Sequence, residues 1–172
     1  MHRFVWNLRY PRPKAINYHY SIAAVWKVGT PILPMGPYVM PGRFKIILSV
    51  NGRNYVHYLD VKLDPRVKIS LNNLQSQLNL AQEVQKTLNK TTAFFDSIKS
   101  KMKNDSGLVK EDSYKKLKQL SNDAANVCNI LSDFASSVQT ADAAPTQGQL
   151  SLYKEYKEQF DKLEKKWREF RE

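Results

Sequence analysis

Asn51-Gly52 stands between two runs of alternating apolar residues, and this feature narrows the folding options of the chain most sharply. Phe44, Ile46, Leu48 and Val50 alternate with Lys45, Ile47 and Ser49 before it. Tyr55, His57, Leu59, Val61 and Leu63 alternate after it. Both central residues of a type I′ turn need positive φ, which asparagine and glycine tolerate. The pattern therefore predicts an antiparallel hairpin. A lone hairpin is marginal in water, so other segments must cover it. Residues 4–10 are predicted to supply a third strand, with Phe4, Trp6, Leu8 and Tyr10 forming an aromatic face toward the core. Pro11 and Pro13 end that run. Residues 14–42 read as a proline-punctuated connection, with a short strand near Ser21–Lys27 and a Pro41-Gly42 turn before the hairpin.

Asp64-Pro65-Arg66 stops the β pattern, and the period changes from two to three and four. Ser70 is the expected N-cap of a long helix carrying Leu74, Leu78, Ala81, Val84, Leu88, Phe95, Ile98 and Met102 on one stripe. Asn104-Asp105-Ser106-Gly107 breaks it. A second helix places Leu117, Leu120, Ala124, Val127, Leu131, Phe134 and Val138 together. A third opens on a Thr146/Gln149 capping box and continues through Tyr153, Tyr156, Phe160, Leu163, Trp167 and Phe170. That 3-4-3-4-3 spacing is the seam of coiled-coil-like packing, with Glu158 and Lys162 as an expected outer-face pair. Three amphipathic helices with short links are expected to form an antiparallel bundle. The predicted fold is thus α+β, with a small antiparallel β unit over residues 1–68 and a helical bundle over 69–172.

Charge is unevenly placed. The chain carries +11, and residues 1–75 hold 11 Lys/Arg against Asp60 and Asp64, a net +9. Residues 76–172 hold 16 against 14, a net +2. The helices wear the mixed charge of solvated faces, whereas the β half offers a basic surface to an acidic neighbour. No recognised nucleic-acid motif accompanies it, so nucleic acid is not the expected partner. No apolar run approaches the ~20 residues that cross a bilayer, and the residues after Met1 lack an apolar leader.

The residues of chemistry are scattered. His2, His19 and His57 lack ligands at helical spacing, and Cys128, the single cysteine, lies in an apolar helical stripe as a small buried hydrophobe. There is no phosphate-binding glycine loop and no nucleophile elbow. No catalytic, metal or cofactor-binding residue is assigned, and no cofactor is expected. A hydrolase site would have to be built from His57, Asp60 and Asp64, of which Asp64 reads better as a turn residue before proline. Trp6, Tyr10, Tyr18, Tyr20, Trp26 and Tyr38 crowd the first forty residues. They either pack the β unit and its domain contacts or line a groove for a glycan or peptide.

Several phrases recur in a telling order: Phe4-Val5-Trp6-Asn7-Leu8-Arg9-Tyr10-Pro11, Gly36-Pro37, Pro41-Gly42-Arg43-Phe44, Val50-Asn51-Gly52, Leu63-Asp64-Pro65-Arg66-Val67 and Pro145-Thr146-Gln147-Gly148-Gln149. Together they resemble the C-terminal region of bacterial sortilin-like, BNR-repeat β-propeller proteins, often labelled glycosyl hydrolases. Asn7 stands where that family usually has aspartate, and Phe44 where it usually has tyrosine. The resemblance implies an immunoglobulin- or fibronectin-like β unit and an extracellular, periplasmic or cell-envelope setting. It also implies an upstream propeller as the first partner, with the chain as a piece of a longer protein. The function expected on that basis is a non-catalytic accessory domain for interdomain packing or partner contact. The alternatives are a carbohydrate- or peptide-binding module using the early aromatics, or a hydrolase fragment.

Overall fold

Local signals start the helices where the spacing predicts. The computed structural model describes residues 3–20, 25, 30–104 and 111–171. Ser70 Oγ accepts the Asn73 N–H at 3.2 Å, capping α1, Leu71–Asn104. α2 spans Glu111–Ser137, with Glu111 and Asp112 in its first turn, where acidic groups suit the helix dipole. α3 spans Gln147–Arg171. Its capping box forms as expected: Thr146 N–H donates to Gln149 Oε1 at 2.9 Å, and Gln149 N–H donates to Thr146 Oγ1 at 3.1 Å.

The apolar stripes of these helices meet in one hydrophobic cluster. Val84, Leu88 and Ile98 from α1, Leu117, Ala124 and Leu131 from α2, and Phe160 and Leu163 from α3 are buried in it. Phe94 takes the buried position where the spacing pointed to Phe95, because it stands edge-on to Phe160 at 5.7 Å and Trp167 at 6.2 Å. Phe95 is left half-buried beside Lys99. Phe134 meets Tyr156 edge-on at 5.7 Å. Cys128 is buried, and desolvation pushes its thiol up to about 11, so it stays protonated at neutral pH. On the outside of α3 the ion pairs are Glu164–Arg168 and Lys165–Glu169, not the expected Glu158–Lys162. Exposed pairs gain little, so side-chain entropy readily decides between them.

Two separate antiparallel sheets of two strands each precede the helices. β1, His19–Tyr20, pairs with β2, Ile32–Leu33. β3, Gly42–Val50, pairs with β4, Arg53–Val61, in the register Val50↔Arg53 through Gly42↔Val61. Asn51 and Gly52 both have positive φ, at 49° and 76°, as a type I′ turn requires. Both strands fall within residues 14–42, where the proline punctuation predicts an irregular connection apart from a strand near Ser21–Lys27. That proposed strand lies almost wholly outside the described residues, and its Val25 is in no strand.

Residues 4–10 are not the third strand. Leu8 takes a left-handed φ of 58°, which turns the chain out of extension. Only a single bridge forms, between Arg9 and Tyr38. Phe4 is 89% exposed, so the expected aromatic face does not fill a core. The N-terminal segment lies along the helices instead. Lys14 N–H donates to Asn89 Oδ1 at 2.6 Å, Thr92 Oγ1 to the Lys14 carbonyl at 3.1 Å, and Gln85 Nε2 to the Pro11 carbonyl at 2.8 Å. Ile16 packs on the helical cluster itself.

Truncating Phe160 to alanine removes a ring that contacts α1, and should destabilise the helical core by about 3–5 kcal/mol. Leu163→Asp buries an unpaired carboxylate and should unfold it. Thermal melts followed by circular dichroism check both; an unchanged midpoint in either variant contradicts the shared core.

Candidate interaction surface

The described aromatic candidates do not converge into one platform. Trp6 is half-buried, edge-on to Phe44 at 5.2 Å, and its Nε1–H donates to the Arg9 carbonyl at 3.0 Å. Tyr38 lies under the Arg9 guanidinium at 3.4 Å, and its backbone N–H donates to Gln139 Oε1 at 2.7 Å. Tyr10 is joined to the same place through its N–H, which donates to the Pro37 carbonyl at 2.8 Å. Tyr18 is tied down elsewhere, its hydroxyl donating to the Pro13 carbonyl at 2.9 Å. Tyr20 sits exposed on β1. Trp26 lies outside the described residues. Among the described members of the set, no ring stacks on another of the set.

Gly36 makes the Arg9–Tyr38 junction possible. Val39 N–H donates to the Leu8 carbonyl at 2.9 Å, opposite the Tyr10–Pro37 bond, and Arg9 Nη1 donates to the Gly36 carbonyl at 2.8 Å. The two backbones come so close that a Cβ on Gly36 would overlap the Tyr10 carbonyl oxygen.

Beside this junction opens a cavity of about 410 Å³, bordered by Leu8, Tyr38, Leu63, Asp64, Gln77 and Gln139. Three of its polar side chains, Gln77, Gln139 and Asp64, already have partners. Gln77 Nε2 donates to the Ala141 carbonyl at 2.6 Å, and Gln139 Oε1 is taken by Tyr38. Asp64 Oδ1 accepts the Arg66 backbone N–H at 2.9 Å, and Arg66 Nη2 donates to Asp64 Oδ2 at 2.6 Å. The Arg66 side chain, then its backbone N–H, hold the Asp64 carboxyl below its ordinary range. Asp64 therefore serves the turn from β4 toward α1, as its place before proline suggests.

His57, Asp60 and Asp64 are not brought together. Directly opposed residues of an antiparallel pair share a face, so His57 sits with Ile46 and Asp60 with Arg43 on the other face. Asp60 lies 3.9 Å from the Arg43 guanidinium and Asp64 is held by Arg66. Among the described residues, no group of three or more His, Cys, Asp or Glu could hold a metal ion.

Among the described residues, exposed large apolar side chains gather on the β3–β4 hairpin. On one face Phe44, Ile46, Leu48 and Val50 oppose Leu59, His57, Tyr55 and Arg53. Leu48 is 60% exposed, Tyr55 58% and Ile46 44%. The other face adds Ile47 and Val56, also exposed, between Lys45, Tyr58, Arg43 and Asp60. The sequence leads one to expect this hairpin to be covered by a third strand from residues 4–10, which does not form. The warning sign was apolar residues at both parities, Ile46-Ile47-Leu48 and Tyr55-Val56, where a strand with one face in water should alternate cleanly. No family model matches the chain, and no curated protein or solved structure matches it.

Two measurements address this surface. Gly36→Ala should part residues 8–10 from 37–39, destabilising the junction by about 1–3 kcal/mol. Amide exchange at Tyr10 and Val39 should accelerate while the helical melt moves little; unchanged exchange contradicts the close approach. In an NMR pH titration Asp64 should titrate below the ordinary aspartate value of about 3.9. Because its pKa is depressed, its support for the turn is present above that value and is lost as pH falls through the folded midpoint. A midpoint at or above the ordinary value contradicts the Arg66 contact.

Proposed function

We propose that this chain is a non-catalytic interaction module, a C-terminal accessory domain of a larger exported β-propeller protein. The observation that carries the reading is a contrast within the molecule. The helices bury their own seam, while the basic β half leaves Ile46, Leu48, Tyr55 and Val56 open to water. An apolar surface rimmed by cations is the usual mark of a binding face. In this reading residues 69–172 are a three-helix antiparallel bundle that acts as a rigid base. Residues 1–68 are an immunoglobulin- or fibronectin-like unit whose exposed strands meet the propeller or another protein. The ordered motifs from Phe4-Val5-Trp6 to Pro145-Thr146-Gln147 support the sortilin-like, BNR-repeat assignment, and with it an extracellular, periplasmic or cell-envelope setting. No helix among the described residues is long and apolar enough to cross a membrane.

Glycan or peptide capture by the early aromatics is the weaker reading, because Tyr38 already carries Arg9 on its ring and Tyr18 is bonded to Pro13. Flat sugar-stacking platforms need free ring faces.

The gene upstream of the Met1 codon should encode a β-propeller, and that propeller, co-expressed as a separate chain, should co-purify with this one in equal amounts. An upstream region without a propeller, or a propeller that elutes apart from the chain in size-exclusion chromatography, overturns the assignment.

A further inference from the structure

The hairpin presents more than an apolar patch. A two-residue turn makes its flanking pair, Val50↔Arg53, a hydrogen-bonded pair, and such pairs recur at every second position. Phe44, Ile46, Leu48 and Val50 therefore spend their backbone groups on β4. Arg43, Lys45, Ile47 and Ser49 direct theirs outward from β3, and Asn54, Val56, Tyr58 and Asp60 direct theirs outward from β4. Among the described residues no further strand joins either edge.

We infer that the outer edge of β3 accepts an extended strand from a partner polypeptide, one with apolar residues on one side and carboxylates on the other. Charge selects both the edge and the partner. β3 carries Arg43 and Lys45 on the side chains that flank its outward backbone groups. The corresponding positions of β4 carry Asp60 and no cation. Counting Lys62 just beyond β4, the hairpin holds Arg43, Lys45, Arg53 and Lys62 against Asp60. An incoming strand gains main-chain hydrogen bonds from the edge, carboxylates beside Arg43 and Lys45, and an extension of the Ile46–Leu48–Tyr55 face.

A second copy of the chain fits poorly. Pairing β3 with β3 would gather two copies each of Arg43 and Lys45 on one ribbon with no carboxylate among the outward positions, and edge lysines disfavour such self-pairing. Packing two apolar faces together would also bury too little. Nine residues per strand at about 3.3 Å, with strands about 4.8 Å apart, give a face of about 300 Å². A stable interface needs about 800 Å² per partner. A lipid surface fits poorly as well, since open strand edges leave backbone groups unpaired in hydrocarbon. The hairpin tip, Asn51-Gly52-Arg53-Asn54, is polar throughout.

This inference rests on the interaction-module reading and adds the edge, the mode and the partner's chemistry. The probe is a fluorescein-labelled peptide the length of β3 in which isoleucine alternates with glutamate. Fluorescence anisotropy should show saturable binding that weakens with added salt. A peptide with lysine in place of glutamate should bind at least about tenfold more weakly, as should one N-methylated along one edge. Ile47→Pro removes an outward N–H but no bond to β4, and should abolish binding; Val56→Pro, its counterpart on the other edge, should not. Lys45→Glu should reverse the preference toward the lysine peptide. Helical circular dichroism verifies that each variant keeps its fold. Equal binding of the two charge forms, indifference to N-methylation, or equal loss in Val56→Pro overturns the proposal. So does concentration-dependent dimerisation through the hairpin, or binding to phosphatidylcholine–phosphatidylserine vesicles with none to the peptide. If the peptide fails to bind the unsubstituted chain while the propeller still co-purifies with that chain, the edge proposal falls and the module reading stands. If the propeller elutes apart as well, both fall.

Discussion

Phe94 stands at the joint on which the helical half depends. Its ring meets Phe160 and Trp167 edge-on, so one side chain of α1 holds two points about two turns apart on α3. Leu88, Leu117 and Leu131 close the seam between α1 and α2 behind it. Each such burial contributes about 1.5–3 kcal/mol, and together these offset the entropy of ordering helices whose outer faces are almost wholly polar. The β half has no equivalent. Its described residues are held to the helices by Ile16 and by single hydrogen bonds, among them Lys14 to Asn89, Thr92 to Lys14, Gln85 to Pro11, Asn17 to Asn129 and Tyr38 to Gln139.

That dependence runs one way. The helical cluster draws nearly all its buried side chains from residues 74–163, with Ile16 as a partly buried guest from the N-terminal segment. The segment, by contrast, takes its direction from α1. Extended chain laid along a helix satisfies its backbone groups with side chains such as Asn89, Gln85 and Thr92 rather than with a neighbouring strand. Where it does meet another strand-like segment, at Arg9 and Tyr38, Gly36 admits the close approach and the left-handed Leu8 limits the contact to one bridge. The alternation of Phe4, Trp6, Leu8 and Tyr10 is real, yet without a partner long enough to pair with it the pattern makes no strand.

The parts legible from the sequence are those governed by nearest neighbours. Helix spacing, the Ser70 cap, the Thr146/Gln149 box and the Asn51-Gly52 turn each depend on residues within four positions, so reading them needs no knowledge of the fold. The β1–β2 pair was not legible, because two-residue strands such as His19–Tyr20 and Ile32–Leu33 are too short to carry a period. The aromatic set was misleading for a related reason. Composition collects Tyr10, Tyr18, Tyr20 and Tyr38 into forty residues, but prolines at 11, 13, 31 and 37 send the intervening chain in different directions. Alternation in β3 and β4 correctly sorted Ile46 from Ile47 onto opposite faces; it had no means of saying what, if anything, covers either one.

The hairpin and the Asp64 turn bear on each other at this point. A two-stranded ribbon is marginal alone, and here its base meets the N-terminal segment through Trp6 against Phe44, while Asp64 with Arg66 fixes the turn that follows β4. Those contacts restrain the base while Leu48, Val50 and Tyr55, nearer the tip, stay exposed. A ribbon built for solvent would keep at least one face polar, and this one carries exposed apolar residues on both, Leu48 and Tyr55 on one and Ile47 and Val56 on the other. The exposed apolar residues thus concentrate at mid-ribbon, in Ile46, Ile47, Leu48, Tyr55 and Val56, beyond the contacts at the base, which is the distribution expected when the missing support comes from another surface.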